Sequence, residues 1–174
     1  MNNGDESHSA LVEAHGALVW RTLCALLGRD DAVDDCFQET FLEFIRHADG
    51  AAARTPKALL VSIATRRAID LIRRRSAQRA AARKWANEGV ASAPEPLDSM
   101  VGKELSEALG AALVTLPQQQ AAVFVMTQLE EMPHGDVAGA LGIRENHVGV
   151  LLFRARAALQ ERLKHFLSAE RRRV

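Results

Sequence analysis

Apolar residues recur at three- and four-residue steps along most of the chain, which is the pattern of amphipathic helices. The first predicted helix carries apolar residues from Leu11 to Leu27 and ends at Gly28. A second is predicted to begin at the acidic pair 30–31, because acids favour a helix N-terminus. A third begins near 55–56, where Thr is a plausible N-cap and Pro suits the first helical position. Alternation of apolar and polar residues never exceeds four residues, so the predicted fold class is all-α.

Residues 86–100 interrupt this helical pattern with Pro, Ser and Gly, a composition typical of a linker. A second helical block follows it. We therefore predict two small helical domains joined by a flexible linker, with boundaries at 8–84, 85–100 and 101–170.

The segment 133–156 fits a helix-turn-helix, with a short helix at 134–141, a turn at Gly142 and a long helix from about 145 to 168. Gly supplies the left-handed backbone that such a tight turn requires. An ordinary helical hairpin in a bundle has the same pattern and stays open as an alternative. The apolar stripe predicted to face the core is Val148, Leu152, Ala155 and Leu159, with Leu151 and Phe153 at its flanks.

The outward face of the long helix carries residue types that contact DNA. Arg contacts phosphates, Asn reads adenine, and an apolar side chain such as Val150 can touch the methyl group of thymine. Because this face has few cations, we expect electrostatics to contribute little of its DNA affinity. The candidate DNA-contacting residues are Arg144, Asn146, His147, Val150 and Arg154.

The formal net charge of zero hides an asymmetry along the chain. Residues 1–49 sum to −7, residues 50–84 to +9, and residues 85–174 to −2. The basic block coincides with an arginine-rich helix at 63–84, for which three interpretations stay open: a solvated helix face, a phosphate-binding surface, or a surface for an acidic protein or membrane. Two surfaces of opposite sign indicate two different partners.

Motifs of enzyme chemistry are absent from the sequence, so no catalytic residue, metal site or cofactor is predicted. There is no Gly-rich phosphate loop, nucleophile elbow or HExxH motif, and no His has metal-ligand spacing with Cys24 or Cys36. The acidic cluster at 34–39 spreads over a broad helix face without a partner base. An interaction surface is therefore the favoured interpretation of these carboxylates.

The N-terminus and the cysteine usage predict a soluble cytoplasmic protein without membrane insertion. No positively charged segment leads into an apolar core at the N-terminus. The uncharged stretch Ala58–Thr65 and the apolar run Ala108–Leu116 are both shorter than the ~20 residues of a spanning helix. Two Cys residues alone suit a reducing compartment better than a disulfide framework.

Three motifs together resemble one family, the sigma-70 initiation factors of bacterial RNA polymerase, and within it the extracytoplasmic-function (ECF) group. The segment DDAVDDCFQETFLEFIRH (30–47) is similar to regions 2.1 and 2.2, and LLVSIATRRAIDLIRRR (59–75) is similar to regions 2.3 and 2.4. Residues 116–159 are similar to region 4. The resemblance makes the first predicted domain a region 2-like bundle and the second a region 4-like helix-turn-helix domain.

This resemblance implies a transcription initiation factor that is not an enzyme. It would bind core RNA polymerase through the acidic helix, recognise and help melt the minus-ten element through the arginine-rich helix and the loop 47–56, and read the minus-thirty-five element through the helix-turn-helix. The expected partners are core RNA polymerase, promoter DNA and an anti-sigma factor, with no small-molecule substrate. The implied polymerase-binding residues are Asp34, Asp35, Gln38, Glu39 and Phe41, and the implied minus-ten residues are Arg66, Arg67, Asp70, Arg73 and Arg74.

One departure from the family pattern keeps other functions open. Gly149, Val150 and Leu151 occupy positions that commonly read Lys-Ser-Arg in the recognition helix. One alternative is therefore a sigma-like protein-interaction module with a weakened DNA-reading helix. The other is a stand-alone helix-turn-helix regulator, which leaves the acidic helix unexplained.

Overall fold

The computed structural model of the chain describes residues 3–28, 31–48, 55–85 and 107–170. Within these ranges the chain is helical and contains no strand, which confirms the all-α prediction. The predicted linker residues 86–100 and most of the loop 47–56 lie outside the described ranges. The helices are α1 (Asn3–Leu27), α2 (Ala32–Ala48), α3 (Pro56–Trp85), α4 (107–113), α5 (Gln118–Phe124), α6 (His134–Leu141) and α7 (Glu145–Glu170), and a π-helix (Val125–Leu129) directly follows α5.

The larger core forms where α1, α2 and α3 pack together. Val19 and Leu23 of α1 and Leu60 of α3 are fully buried in it. The segment Ser9–Leu27 of α1 is, by length and composition, apolar enough to cross a membrane, although the sequence analysis found no such stretch. Val19, Leu23 and Leu26 of this segment are buried in the core, whereas Val12 and Trp20 are exposed.

The C-terminal helices pack directly onto α1 and α3. Ala58 and Val61 of α3 belong to a second core together with Val123 and Val148, so α3 contributes to both cores. Gly110 of α4 permits the close approach, because a Cβ atom at this position would lie 3.1 Å from both the Leu26 carbonyl oxygen and Ile72 Cδ1. The two predicted helical units are therefore in extensive contact in this structure.

A buried carboxylate joins the two units. The backbone N–H of Glu130 donates to the Val125 carbonyl at 3.1 Å, which closes the last turn of the π-helix, and the next residue, Glu131, has φ of +50°. The side chain of Glu130 is 2% exposed and faces α1. There it accepts a hydrogen bond from Thr22 Oγ1 at 2.6 Å and forms an ion pair with Arg21. A buried charge requires such partners, so this contact fixes the π-helix against α1.

A second polar contact between the units comes from Arg73 of α3. Its Nε donates to the Val114 carbonyl at 3.3 Å, and its Nη2 donates to the Leu116 carbonyl at 3.0 Å. These carbonyls follow the C-terminal end of α4, where carbonyl groups have no partner within the helix. Arg73, which lies on α3, therefore supplies the hydrogen-bond donors that these carbonyl groups at the end of α4 lack.

The helix-turn-helix forms with the predicted boundaries. Gly142 has φ of +63° and caps α6 in the left-handed conformation, and the predicted core stripe of α7 is buried throughout. Leu151 corrects one detail, because it was predicted at the flank and is only 5% exposed. It packs in the second core because α5 and α6 both lie against α7 and together cover a wider arc than one stripe.

The contact at Glu130 generates a stability prediction. The substitution Thr22→Val keeps the side-chain volume but removes the hydroxyl group that donates to the buried carboxylate. We expect the free energy of unfolding to fall by about 2 kcal/mol, because a buried charge that loses a hydrogen bond bears its desolvation cost. Urea unfolding followed by circular dichroism measures this change.

The substitution Thr115→Val is the matched control for this prediction. Thr115 is exposed, and its hydroxyl group donates to the Ala112 carbonyl at 2.7 Å, so we expect a loss below about 1 kcal/mol. Equal losses in both variants, or no loss in Thr22→Val, would contradict the role assigned to the buried hydrogen bond.

Candidate functional site

One exposed face of α2 collects the predicted polymerase-binding residues. Asp34, Asp35, Gln38 and Glu39 are all exposed, at the spacing that places them along one side of a helix. We call these four residues, together with Leu42, the acidic face. Leu42 is 50% exposed, and the sequence analysis did not single it out. Its spacing of four residues from Gln38 was the available signal.

Phe41 was also predicted on this surface, and the structure corrects that placement. It is 5% exposed and belongs to the larger core, where its ring lies 5.0 Å from the ring of Phe37. Phe41 follows Val33 and Phe37 at steps of four residues, so the apolar spacing of α2 separates it from Leu42, which lies off that line. The resemblance alone implied a surface role for Phe41, and the acidic face therefore does not include it.

An exposed aromatic side chain on α1 was not anticipated. Trp20 is 41% exposed and meets Phe37 edge-on, with ring centroids 5.7 Å apart and an interplanar angle of 71°. Aromatic side chains that keep an exposed edge are enriched at protein interfaces. Trp20 therefore adds a partly exposed apolar side chain on α1, directly beside α2.

Two of the predicted minus-ten arginines pair with α2. Arg66 forms an ion pair with Glu43, and Arg67 pairs with Glu39 and, through Nη2 at 2.7 Å, with Glu43. The Nε atom of Arg67 is buried without a hydrogen-bond partner. The acidic and basic blocks of the sequence thus meet where α2 and α3 pack. Arg67 has a smaller exposed fraction than Arg66, 24% against 45%.

The other three predicted minus-ten residues differ in accessibility. Arg73 is engaged with the carbonyls beyond α4 and lies 3.4 Å from Asp70 Oδ1. Asp70 keeps 47% of its side chain exposed. Arg74 is exposed on α3. The structure therefore presents Arg66, Asp70 and Arg74 to solvent, while Arg67 and Arg73 hold neighbouring elements.

The environment of the Cys36 thiol keeps it in its protonated form. Burial raises the pKa of the Cys36 thiol, the Glu39 carboxylate raises it further, and Arg67 opposes the shift. A thiol with a raised pKa stays protonated at neutral pH and is a poor nucleophile. Within the described ranges, no three His, Cys, Asp or Glu side chains lie together as a metal site would require.

All five predicted residues of the recognition helix region are exposed: Arg144, Asn146, His147, Val150 and Arg154. The backbone N–H of His147 donates to the Arg144 carbonyl at 2.9 Å, which begins the first turn of α7. At Gly149 no atom lies within 4 Å of the position that a Cβ would occupy. The helix therefore projects these side chains from the body of the protein.

A further residue on this helix was placed only at the flank by the sequence analysis. Phe153 is 76% exposed, the largest value among the exposed large apolar side chains of the described residues. It follows Val150 by three residues and Asn146 by seven, so the three lie on one line along the helix. We call the exposed line Asn146, Val150, Phe153 and Ala157 the recognition ridge.

Two parts of the chain match known sequence families. Residues 11–78 match Sigma-70 region 2, and residues 106–159 match Sigma-70, region 4. The first match covers most of α1, all of α2 and most of α3. The second covers α4 to α6 and the half of α7 that carries the recognition ridge.

Curated relatives agree with these matches. The ECF RNA polymerase sigma factor SigE of Mycolicibacterium smegmatis is 29% identical over 161 residues, which is 91% of this chain and 63% of that protein. The ferric citrate uptake sigma factor FecI of Escherichia coli is 30% identical over 112 residues, 63% of this chain and 64% of FecI. The matches thus span less than two thirds of the length of either relative.

Solved structures share the fold. A sigma factor RpoE bound to the anti-sigma factor NepR, from Bartonella quintana, superimposes with a TM-score of 0.51 at 20% identity, over 94% of this chain and 98% of that one. CnrH in complex with the cytosolic domain of CnrY gives a TM-score of 0.61 at 21% identity, over 94% and 91%.

The order of the two regions, the helical fold and the curated relatives lead to one assignment. The chain belongs to the sigma-70 family of RNA polymerase sigma factors, in its ECF group.

Proposed function

We propose that this protein is a cytoplasmic transcription initiation factor that binds core RNA polymerase and directs it to specific promoters. Region 2 would recognise and help melt the minus-ten element, and the helix-turn-helix would read the minus-thirty-five element. The observation that carries the proposal is the presence, on one chain, of an exposed acidic face on α2 and an exposed recognition ridge on α7. A stand-alone DNA-binding regulator has no use for the acidic face.

The acidic face supports docking on a basic protein surface. Its carboxylates supply complementary charge, which steers association and fixes the orientation of the partner. Leu42 lies among them and offers an exposed apolar side chain that a docked partner would remove from water. The pairing of Glu39 with Arg67 orients one edge of this face. Core RNA polymerase is the partner that the family membership indicates.

The accessible minus-ten residues support contact with a DNA strand. Arg66 and Arg74 are exposed on α3, and guanidinium groups form strong hydrogen bonds with phosphates and stack on unpaired bases. Arg67 and Arg73 contribute by holding α2 and the end of α4 in place. The proposal therefore divides the five residues between DNA contact and positioning.

An anti-sigma factor is a further proposed partner. Two proteins of the same fold are known in complex with partners of which one is named an anti-sigma factor. The exposed apolar side chains of Val150 and Phe153 also favour a second candidate function, a sigma-like interaction module without promoter activity, because exposed apolar patches are typical of protein interfaces.

Run-off transcription over a promoter library tests the proposal. Core RNA polymerase of the source organism is assayed with and without the protein, and an active polymerase control is included. We expect new start sites that share two spaced sequence elements. Binding to core without new transcripts would favour the interaction module. No binding to core would contradict the proposal and leave the stand-alone regulator.

Charge reversal on the acidic face should weaken polymerase binding. We expect Asp35→Arg to lower the affinity for core RNA polymerase about tenfold, because it places a like charge against a basic partner surface. Asp35 is exposed, so the circular dichroism spectrum should not change. The control is Glu107→Arg, an equal charge change at an exposed position of α4. Equal losses in both variants would argue for a nonspecific charge effect.

Removal of an exposed arginine on α3 should impair promoter melting. We expect Arg74→Ala to lower the equilibrium constant for open-complex formation about tenfold, because a hydrogen bond to a charged group contributes about 1.5 kcal/mol. Permanganate footprinting of unpaired thymines measures the melted fraction, and the affinity for core should remain as in the wild type. Arg162→Ala, an exposed cation on α7, is the control. A loss of core affinity that matches the loss of melting would contradict the DNA role.

A further inference from the structure

We infer that the recognition ridge reads thymine through its 5-methyl groups, with Val150 and Phe153 as the specificity-determining residues. This inference rests on the proposed function, since it names the chemical feature of the DNA that the same helix would recognise. It assigns a role to Phe153, an exposed aromatic side chain that the fold itself does not use.

The first support is the shape of the ridge. At about 3.6 residues per turn, Phe153, Ala157 and Val150 all lie within about 40° of Asn146 around the helix axis. Val150 is 44% exposed and Phe153 is 76% exposed, whereas the buried side of α7 packs on α5 and α6. The side of α7 that points away from the protein is thus apolar along three of its four positions.

The second support is the position of the cations. Arg154 lies about 80° from the centre of the ridge on one side, and Arg156 lies about 80° on the other. Both are exposed, and Arg156 also donates a hydrogen bond to Gln128. An apolar ridge between two guanidinium groups fits the major groove, where base edges line the floor and phosphates line both walls.

The third support is the chemistry that such a ridge can read. Thymine is the base that presents a methyl group in the major groove, and apolar side chains contact it. Asn146 begins the ridge, and its amide can pair with the N6 and N7 atoms of adenine. The ridge carries no Arg or Lys for guanine. The chemistry therefore points to an upstream element whose contacted steps are A·T pairs.

The occupant favoured by these observations is DNA and not an apolar helix of a protein. The ridge projects from a helix-turn-helix whose left-handed turn at Gly142 aims the start of α7 outward. It also begins with an amide, Asn146, which an apolar partner helix would leave without a hydrogen bond.

Deoxyuridine substitution tests this inference because it removes only the 5-methyl group. The probe is a duplex promoter recovered from the transcription library, prepared with thymine or with deoxyuridine in the upstream element. The protein is used as holoenzyme with core RNA polymerase. We expect binding to weaken about fourfold for each contacted methyl group, from the free energy of burying one apolar carbon. Deoxyuridine placed outside both elements should have no effect.

Variants assign the effect to the ridge. The holoenzyme with Phe153→Ala should bind the thymine probe more weakly and discriminate less between the two probes, as expected for two interacting groups in a double-mutant cycle. Val12→Ala removes an exposed apolar side chain on α1 and should leave the discrimination unchanged. Arg154→Ala should weaken binding to both probes equally and reduce the salt dependence by about one counterion.

The outcomes separate this inference from the proposed function. Failure to bind core or to start transcripts would overturn the proposed function, and this inference with it. Normal initiation with equal affinity for the two probes would overturn the methyl contact alone. Discrimination that survives in both Phe153→Ala and Val150→Ala would also overturn it, because the methyl group would then be read by other residues.

Discussion

The buried carboxylate of Glu130 is the interaction on which the arrangement of the two halves depends. A charge removed from water is tolerated only when hydrogen bonds and an opposite charge compensate it. Thr22 and Arg21 provide both, and they lie on the opposite half of the chain. The π-helix orients the Glu130 side chain toward Thr22 and Arg21. Arg73 adds a second polar contact between the halves, because it donates a hydrogen bond to the Leu116 carbonyl beyond the end of α4. These polar contacts thus fix the relative orientation of the two halves, which the non-directional burial of apolar surface would not specify.

The opposite charges of the two N-terminal blocks have a structural use besides attraction of partners. Glu39 and Glu43 on α2 pair with Arg66 and Arg67 on α3, so part of each block neutralises the other. Fewer unpaired charges therefore remain on α2 and α3 than the sequence count indicates. The paired side chains also lose conformational freedom, which fixes the positions of α2 and α3 relative to each other. The surfaces proposed to contact DNA and RNA polymerase can therefore lie side by side on α3 and α2.

The local features of this fold could be predicted from the sequence, and the long-range ones could not. The helix-turn-helix follows from Gly142 and from the apolar spacing around it, which are signals within one short segment. Glu130 gave no such signal, because its partner Thr22 lies 108 positions away and the π-helix has no sequence mark of its own. The family resemblance implied a surface role for Phe41, and a single apolar stripe predicted Leu151 at its flank, whereas the packed helices bury both side chains.

Gly149 carries a consequence for how such a protein changes over evolutionary time. The position lies next to the recognition ridge, and no atom stands where a larger side chain would begin. Glycine in the interior of a helix also weakens the helix by about 1 kcal/mol relative to alanine. A substitution here can therefore stabilise the fold and, in the same step, add a side chain to the surface proposed to contact DNA. Under that proposal, promoter preference can change at this position without loss of stability.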